Sequence, residues 1–217
     1  MYRDGEGMRL RDIQLMPKDV LDIGAHTGQF CKWAKSVWPY CNVFMIEANQ
    51  IHESTLLNLT SNSNDEYMIA ALGDVEREVT FYTRSDKPHT EGNSYYKEAN
   101  YWDIPQLVQE ETVTLQRLDD IFSDEKVFEL IKMDTQGSEL DILKGGKNLI
   151  SRATAVILEV AYIEYNLGAP TSDEVIKHMD SIGFEEAMSV GEHYEGDEIS
   201  QKDLLFLNKE LKWRKSF

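Results

Sequence analysis

The chain has 217 residues, 41% of them hydrophobic and 10% aromatic, a length and composition able to fill one core without disulfide or metal staples. Its net charge of −17 opposes the phosphate neutralisation on which nucleic-acid binding rests and repels anionic membrane surfaces. No stretch approaches the roughly 18 apolar residues that a membrane span requires. These numbers predict one soluble domain over 1–217 with neither nucleic acid nor membrane as partner.

Residues 1–17 read as a polar lead-in, and the charged start Met1-Tyr2-Arg3-Asp4-Gly5-Glu6 lacks the apolar run of a secretory signal, so a cytoplasmic location is expected. Val20 to Gly24 forms a short apolar strand, and Thr27 to Val37 places Phe30, Trp33, Ala34 and Val37 at helical spacing. A second strand, Val43 to Ala48, precedes a helix from Ile51 to about Leu59, and a third strand runs from Tyr67 to Leu72. This alternation predicts parallel βαβ units. Glu78 to Thr83 and Thr112 to Leu118 alternate polar and apolar residues and predict extra strands around an irregular segment, 84–111.

Phe128 to Asp134 reads as a buried strand, Ser138 to Ile150 as its helix, and Ala155 to Ala161 as another buried strand. Ser172 or Asp173 can cap a helix through Ile182, with Gly183 as its C-terminal stop. Phe184 to Val190 and Asp203 to Asn208 then offer closing strands, and the basic tail from Lys209 to Lys215 reads as a solvated terminal segment. Cys31 and Cys41 form no CxxC pair and are expected to be buried free thiols. The histidines, His26, His52, His89, His178 and His193, show no ligand spacing, so the sequence supports no metal site.

Val20-Leu21-Asp22-Ile23-Gly24-Ala25-His26-Thr27-Gly28 is an apolar strand with an acid just before a D-x-G-x-x-x-G turn. A carboxylate there would repel the phosphates that glycine-rich loops usually cradle. It suits S-adenosylmethionine, which has no phosphate but a cationic sulfonium and an ammonium, while Gly24 and Gly28 let backbone approach closely. About 20 residues further on, Glu47 ends the second strand, where an acid can accept both ribose hydroxyls. Ala25, Ala48, Ala71 and Leu72 complete the expected cofactor contacts, the last two flanking the adenine or simply packing in the core.

The ordered set VLDIGAHTGQF, FMIEAN, ALGD, IKMDTQGSE with LDILKG, and ILEV resembles the FkbM-type methyltransferases over roughly 18–190. The resemblance implies a Rossmann-like α/β class I methyltransferase fold: a seven-stranded, mostly parallel sheet with an antiparallel final hairpin and helices on both faces. It also implies S-adenosylmethionine as cofactor, and methyl transfer commonly to oxygen of a small acceptor such as a sugar, glycan or other secondary metabolite. By position, Asp22, Gly24, Gly28 and Glu47 become cofactor contacts and Asp134 the acid beside the reacting centre.

Asp134, His26 and Glu159 are the candidate bases for a hydroxyl acceptor, although His26 can equally hydrogen-bond its own loop. Lys132 can pair with one of these acids. The 84–111 segment, with Asn93-Ser94-Tyr95-Tyr96 and Tyr101-Trp102, is read as an acceptor lid or as a patch covering a sheet edge. An NAD-dependent oxidoreductase, which also wants an acid after the second strand, and a noncatalytic binding module are the rival readings.

Overall fold

The computed structural model describes residues 15–84, 92–98 and 107–211; most of the lead-in, much of the expected lid and part of the basic tail lie outside these. In chain order, β1 (Asp19–Ile23) leads to α1 (Gln29–Val37), β2 (Asn42–Glu47), a 3-10 turn (Gln50–His52), α2 (Glu53–Thr60) and β3 (Glu66–Ile69). β4 (Ala71–Leu72), β5 (Arg77–Arg84), β6 (Val108–Gln116) and α3 (Leu118–Ile121) follow. The chain continues through β7 (Leu130–Met133), α4 (Glu139–Gly145), α5 (Lys147–Ile150), β8 (Ala155–Ala161) and α6 (Ser172–Ser181), and ends in the hairpin β9 (Phe184–Glu195) and β10 (Glu198–Asn208).

Seven strands form one sheet in the order β3-β2-β1-β7-β8-β10-β9, parallel except for β10, which runs antiparallel to both neighbours. Strand order reverses between β1 and β7, and open α/β sheets bind ligands at the carboxyl ends of strands beside such a switch. β4, β6 and β5 make a separate three-stranded sheet.

Alternation along the strands divides the core between the two faces. Leu21 and Ile23 of β1 and Val156, Leu158 and Val160 of β8 pack with α4, α5 and α6 through Leu140, Ile142, Leu149, Val175 and Met179. Val20, Leu130, Ala155 and Ile157 pack on the other side against Phe30, Cys31 and Ala34 of α1 and Leu56 of α2. Period-2 strands covered on both sides are why β7 and β8 read as apolar runs. Asp22, Lys132, Asp134, Glu159 and Asp203 share the parity of the second set, so the α1 face turns polar where the strands outrun their helices.

Boundaries differ from the sequence reading where local chemistry intervenes. The expected strand from Tyr67 to Leu72 breaks at Ala70: the Ala70 N–H donates to the Glu47 carbonyl, while Ala71 and Leu72 leave to pair with Leu115 and Gln116 of β6. The helix expected from Ser138 to Ile150 divides at Gly146. Thr171, rather than Ser172 or Asp173, caps α6 in a reciprocal capping box with Glu174, and Gly183 follows with φ of 93°. Val108 to Glu111, assigned to the irregular segment, belong to β6. Cys31 and Cys41 are free and buried, as expected. No described helix is long and apolar enough to cross a membrane.

Gly24 fixes the geometry of the switch. Its φ is +76°, and a Cβ there would fall 1.9 Å from the Asp134 carbonyl oxygen. Gly24→Ala combines left-handed strain of about 1–2 kcal/mol with that collision. We expect a loss of at least about 2 kcal/mol of unfolding free energy in urea; a parent-like midpoint would show that this loop does not press on β7.

Candidate active site

A cavity of about 940 Å³ opens at the carboxyl ends of β1, β2, β7 and β8. Gly24, Ala25 and His26 form one wall, Glu47 and Ala48 the next, and Ala71 and Leu72 a third; Lys132 and Asp134 lie between them and Glu159. The Gly24 and Ala25 N–H groups both donate to the Ile46 carbonyl, at 2.9 and 3.1 Å, and the Asp134 N–H donates to the Ile23 carbonyl at 3.1 Å. Three strand ends are thereby tied together.

Two expected cofactor contacts stand elsewhere. Asp22 is 0% exposed and does not line the cavity; it lies in the sheet opposite Lys132 in register. Gly28 is also away from the lining. Its φ is +71°, and a Cβ would meet Leu59 Cδ1 at 2.3 Å and Met45 Sδ at 3.4 Å, so this glycine serves the close packing of α1 on α2 and β2.

Lys132 joins the hidden and the visible acid. Its ammonium stands 3.8 Å from Asp22 Oδ1 and 3.2 Å from Asp134 Oδ2, so it pairs with two carboxylates at once. Among the described residues no donor stands within 3.5 Å hydrogen-bonding distance of either Asp22 oxygen. Burial raises the Asp22 pKa to about 6; Lys132 opposes the rise, and the charges of Asp134 and Glu47 add to it.

Glu47 is held by backbone. Oε2 accepts the His26 N–H at 2.7 Å and Oε1 the Asn49 N–H at 2.8 Å, which aims a nearly buried carboxylate from the end of β2. Burial raises its pKa against these two bonds. His26, in the left-handed region at φ 50°, stacks edge-on against His52 with ring centroids 4.1 Å apart.

Asp134 follows directly on β7 with about a third of its side chain exposed. Burial works against its ionisation, but Lys132 and a 3.0 Å hydrogen bond from Gln136 Nε2 hold its pKa below the usual carboxylate range. The Asp134 carboxylate bonds to Lys132 and Gln136, not to the start of α4. Glu139 pins that loop instead, accepting from Thr135 N–H and hydroxyl through Oε1 and from Gly137 N–H through Oε2. Gln136, at φ 55°, also donates to Glu159 Oε2 at 2.7 Å and so bridges Asp134 to Glu159. Burial, then the charges of Asp134, Asp203 and Glu139, raise the Glu159 pKa well above normal.

The hairpin adds residues that the sequence reading missed. His193, Gln201 and Asp203 line the same cavity; Gln201 Nε2 donates to Glu159 Oε2 at 3.1 Å. Of the irregular segment, Ser94 and Tyr95 line it too. The Tyr95 and Tyr96 hydroxyls donate to Asp141 Oδ2 at 3.1 and 2.8 Å, and Asn166 Nδ2 donates to the Tyr96 carbonyl at 2.9 Å. The described part of the expected lid is therefore fastened to α4 and to the loop after β8.

Residues 22–186 match the family described as the methyltransferase FkbM domain. The chain belongs to the FkbM methyltransferase family.

Solved structures agree in fold. An S-adenosylmethionine-dependent methyltransferase from Clostridium acetobutylicum is 9% identical with a TM-score of 0.57, covering 96% of this chain and 92% of its own. The magnesium protoporphyrin IX methyltransferase from Synechocystis, with bound SAM, is 12% identical with a TM-score of 0.52 over 94% and 76%. A TehB-like methyltransferase from Corynebacterium glutamicum is 11% identical with a TM-score of 0.51 over 95% and 89%. No curated protein sequence matches significantly. Membership sets aside the NAD-dependent oxidoreductase. The family match of this FkbM domain starts at Asp22 and stops early in β9, so His193, Gln201 and Asp203 lie beyond it.

Asp22 gives the FkbM domain a pH signature. Because its folded pKa exceeds the unfolded value, the folded chain binds more protons between pH 3.8 and about 6, and stability from this group falls as pH rises through that window. The full shift amounts to on the order of 3 kcal/mol. Asp22→Asn is expected to raise the melting temperature near neutral pH and to flatten the slope between about pH 4 and 6. No gain at neutral pH would mean that Lys132 fully compensates the buried charge.

Proposed function

We propose that the cavity binds S-adenosylmethionine and that the protein transfers its methyl group to a hydroxyl oxygen of a small acceptor such as a sugar, glycan or secondary metabolite. The observation that supports oxygen as the target is Asp134, a carboxylate held ionised by Lys132 and Gln136 at the open end of a central strand. A general base must be deprotonated and within reach of the proton it takes.

The residues present fit that cofactor. The cavity is within the range of small-molecule sites, and its walls bring Glu47, Asp134, Glu159 and Asp203 towards a ligand whose sulfur and amine are cationic. Bound there, the cofactor supplies an electrophilic methyl on a cationic sulfur. Glu47, already oriented by two N–H groups, retains acceptor capacity for the ribose hydroxyls. Ala48, Ala71 and Leu72 offer apolar walls to the adenine, and Gly24 and Ala25 place backbone beside the amino-acid portion.

Asp134 would take the proton of the acceptor hydroxyl and so free its oxygen lone pair to receive the methyl group that the bound cofactor would supply. Lys132 keeps that carboxylate in place. Asp22 acts behind it as a positioning residue for Lys132, and His26 and Glu159 border the site as positioning groups for loop and acceptor. The described residues 92–98 form part of the acceptor wall.

Glu47→Ala removes two charge-assisted hydrogen bonds worth on the order of 1.5–3 kcal/mol each. Adenosylhomocysteine affinity by calorimetry should fall at least about tenfold; unchanged affinity would make Glu47 a loop anchor and nothing more. Asp134→Asn preserves shape and removes the charge. Turnover is expected to fall about a hundredfold or more, with adenosylhomocysteine affinity and melting temperature little changed. Near-normal turnover would take Asp134 out of the reaction and direct attention to His26.

A further inference from the structure

Three strands bring one imidazole and two carboxylates together at the end of the cavity away from Glu47. Asp203 of β10 is in register with Glu159 of β8 on one side and Gly191 of β9 on the other, and Gln201 pairs with His193. Paired residues project to the same face, and this face is the cavity wall. Donor atoms of Glu159, His193 and Asp203 all lie within 4.8 Å of one another, with His193 Nε2 3.7 Å from Asp203 Oδ2.

The local backbone makes room for this grouping. A Cβ at position 191 would strike Asp203 Oδ2 at 2.3 Å, so a glycine opposite Asp203 leaves space for its carboxylate on the cavity side. Register shifts bracket the patch between Ile199 and Gln201 and between Asp203 and Leu204, leaving Ser200 on one strand and Val190 on the other as extra residues. Such bulges re-aim side chains and recur beside active sites. Gln136 and Gln201 both donate to Glu159 Oε2, the outer hydrogen bonding that orients ligating carboxylates.

Charge favours a cation here. Asp134, Glu159 and Asp203 converge, while the Lys132 ammonium is engaged with Asp22 and Asp134. Three donors on one ion, each about 2.0–2.2 Å from it, stand about 3–3.8 Å apart, so the His193–Asp203 pair at 3.7 Å already has ligand spacing and Glu159, within 4.8 Å of both, needs to close by about 1 Å at most. Mixed carboxylate and imidazole donors suit a first-row divalent ion such as Mn²⁺.

We propose that Glu159, His193 and Asp203 bind one divalent metal ion of the Mn²⁺ type, whose remaining positions hold oxygen atoms of the methyl acceptor. The ion's binding stands on these side chains alone; its role with the acceptor rests on the methyl-transfer reading.

The test titrates the full chain, dialysed against chelator, with Mn²⁺ and reads free Mn²⁺ by electron paramagnetic resonance, alongside calorimetry with adenosylhomocysteine. One Mn²⁺ per chain is expected. His193→Gln and Asp203→Asn should each weaken it at least about tenfold with the circular dichroism spectrum unchanged, and His193→Gln should leave adenosylhomocysteine affinity as it is. His193 is half exposed and can be replaced without opening the core. Absence of Mn²⁺ binding to the parent chain, or undiminished binding by both folded variants, would overturn the site and leave a His193–Asp203 ion pair. Mn²⁺ binding without adenosylhomocysteine binding would keep the metal site and refute the cofactor reading.

Discussion

The close approach of Gly24 to the Asp134 backbone governs the site. Only a residue without a Cβ can turn at φ +76° against that carbonyl, and the turn lets Gly24 and Ala25 N–H groups reach Ile46 while the Asp134 N–H reaches Ile23. Those three hydrogen bonds, rather than any side-chain contact, lock the ends of β1, β2 and β7 at the point where strand order reverses. Glu47 and Asp134 inherit their separation from that lock, and the Glu47 carboxylate reinforces it by holding the His26 N–H.

Charge is arranged in depth around it. Asp22 is buried with an elevated pKa, Lys132 lies between it and Asp134, and Asp134 faces the cavity with its ionised form favoured. A buried ion pair adds little net stability, and Asp22, with its raised pKa, detracts from stability near neutral pH. Asp22 meets the cavity only by way of Lys132, which pairs with both Asp22 and Asp134.

The sequence made the centre of the sheet legible and its margins poor. β1, β2, β7 and β8 are apolar runs that only burial on both faces explains, and Asp22, Gly24, Glu47 and Asp134 sit at their ends by spacing alone. Asp22 and Gly28 lie off the cavity lining, a placement not legible beforehand because a strand-end acid and a glycine carry no label in sequence for which side they serve. The hairpin was truncated at Val190 and Asp203, since 191–202 is polar and offers no periodic signal, although the strands extend to Glu195 and from Glu198. His193, Gln201 and Asp203 were missed with it. Their convergence depends on register across β8, β10 and β9 and on two bulges, which no local pattern encodes.

A crystal structure of the chain soaked with adenosylhomocysteine tests the central claim most directly. Density is expected with the ribose hydroxyls on Glu47, the adenine against Ala71 and Leu72, and the sulfur facing the Asp134 side of the cavity. A nucleoside found elsewhere, or a ribose with no contact to Glu47, would contradict the assignment of this cavity as the methyl-donor site.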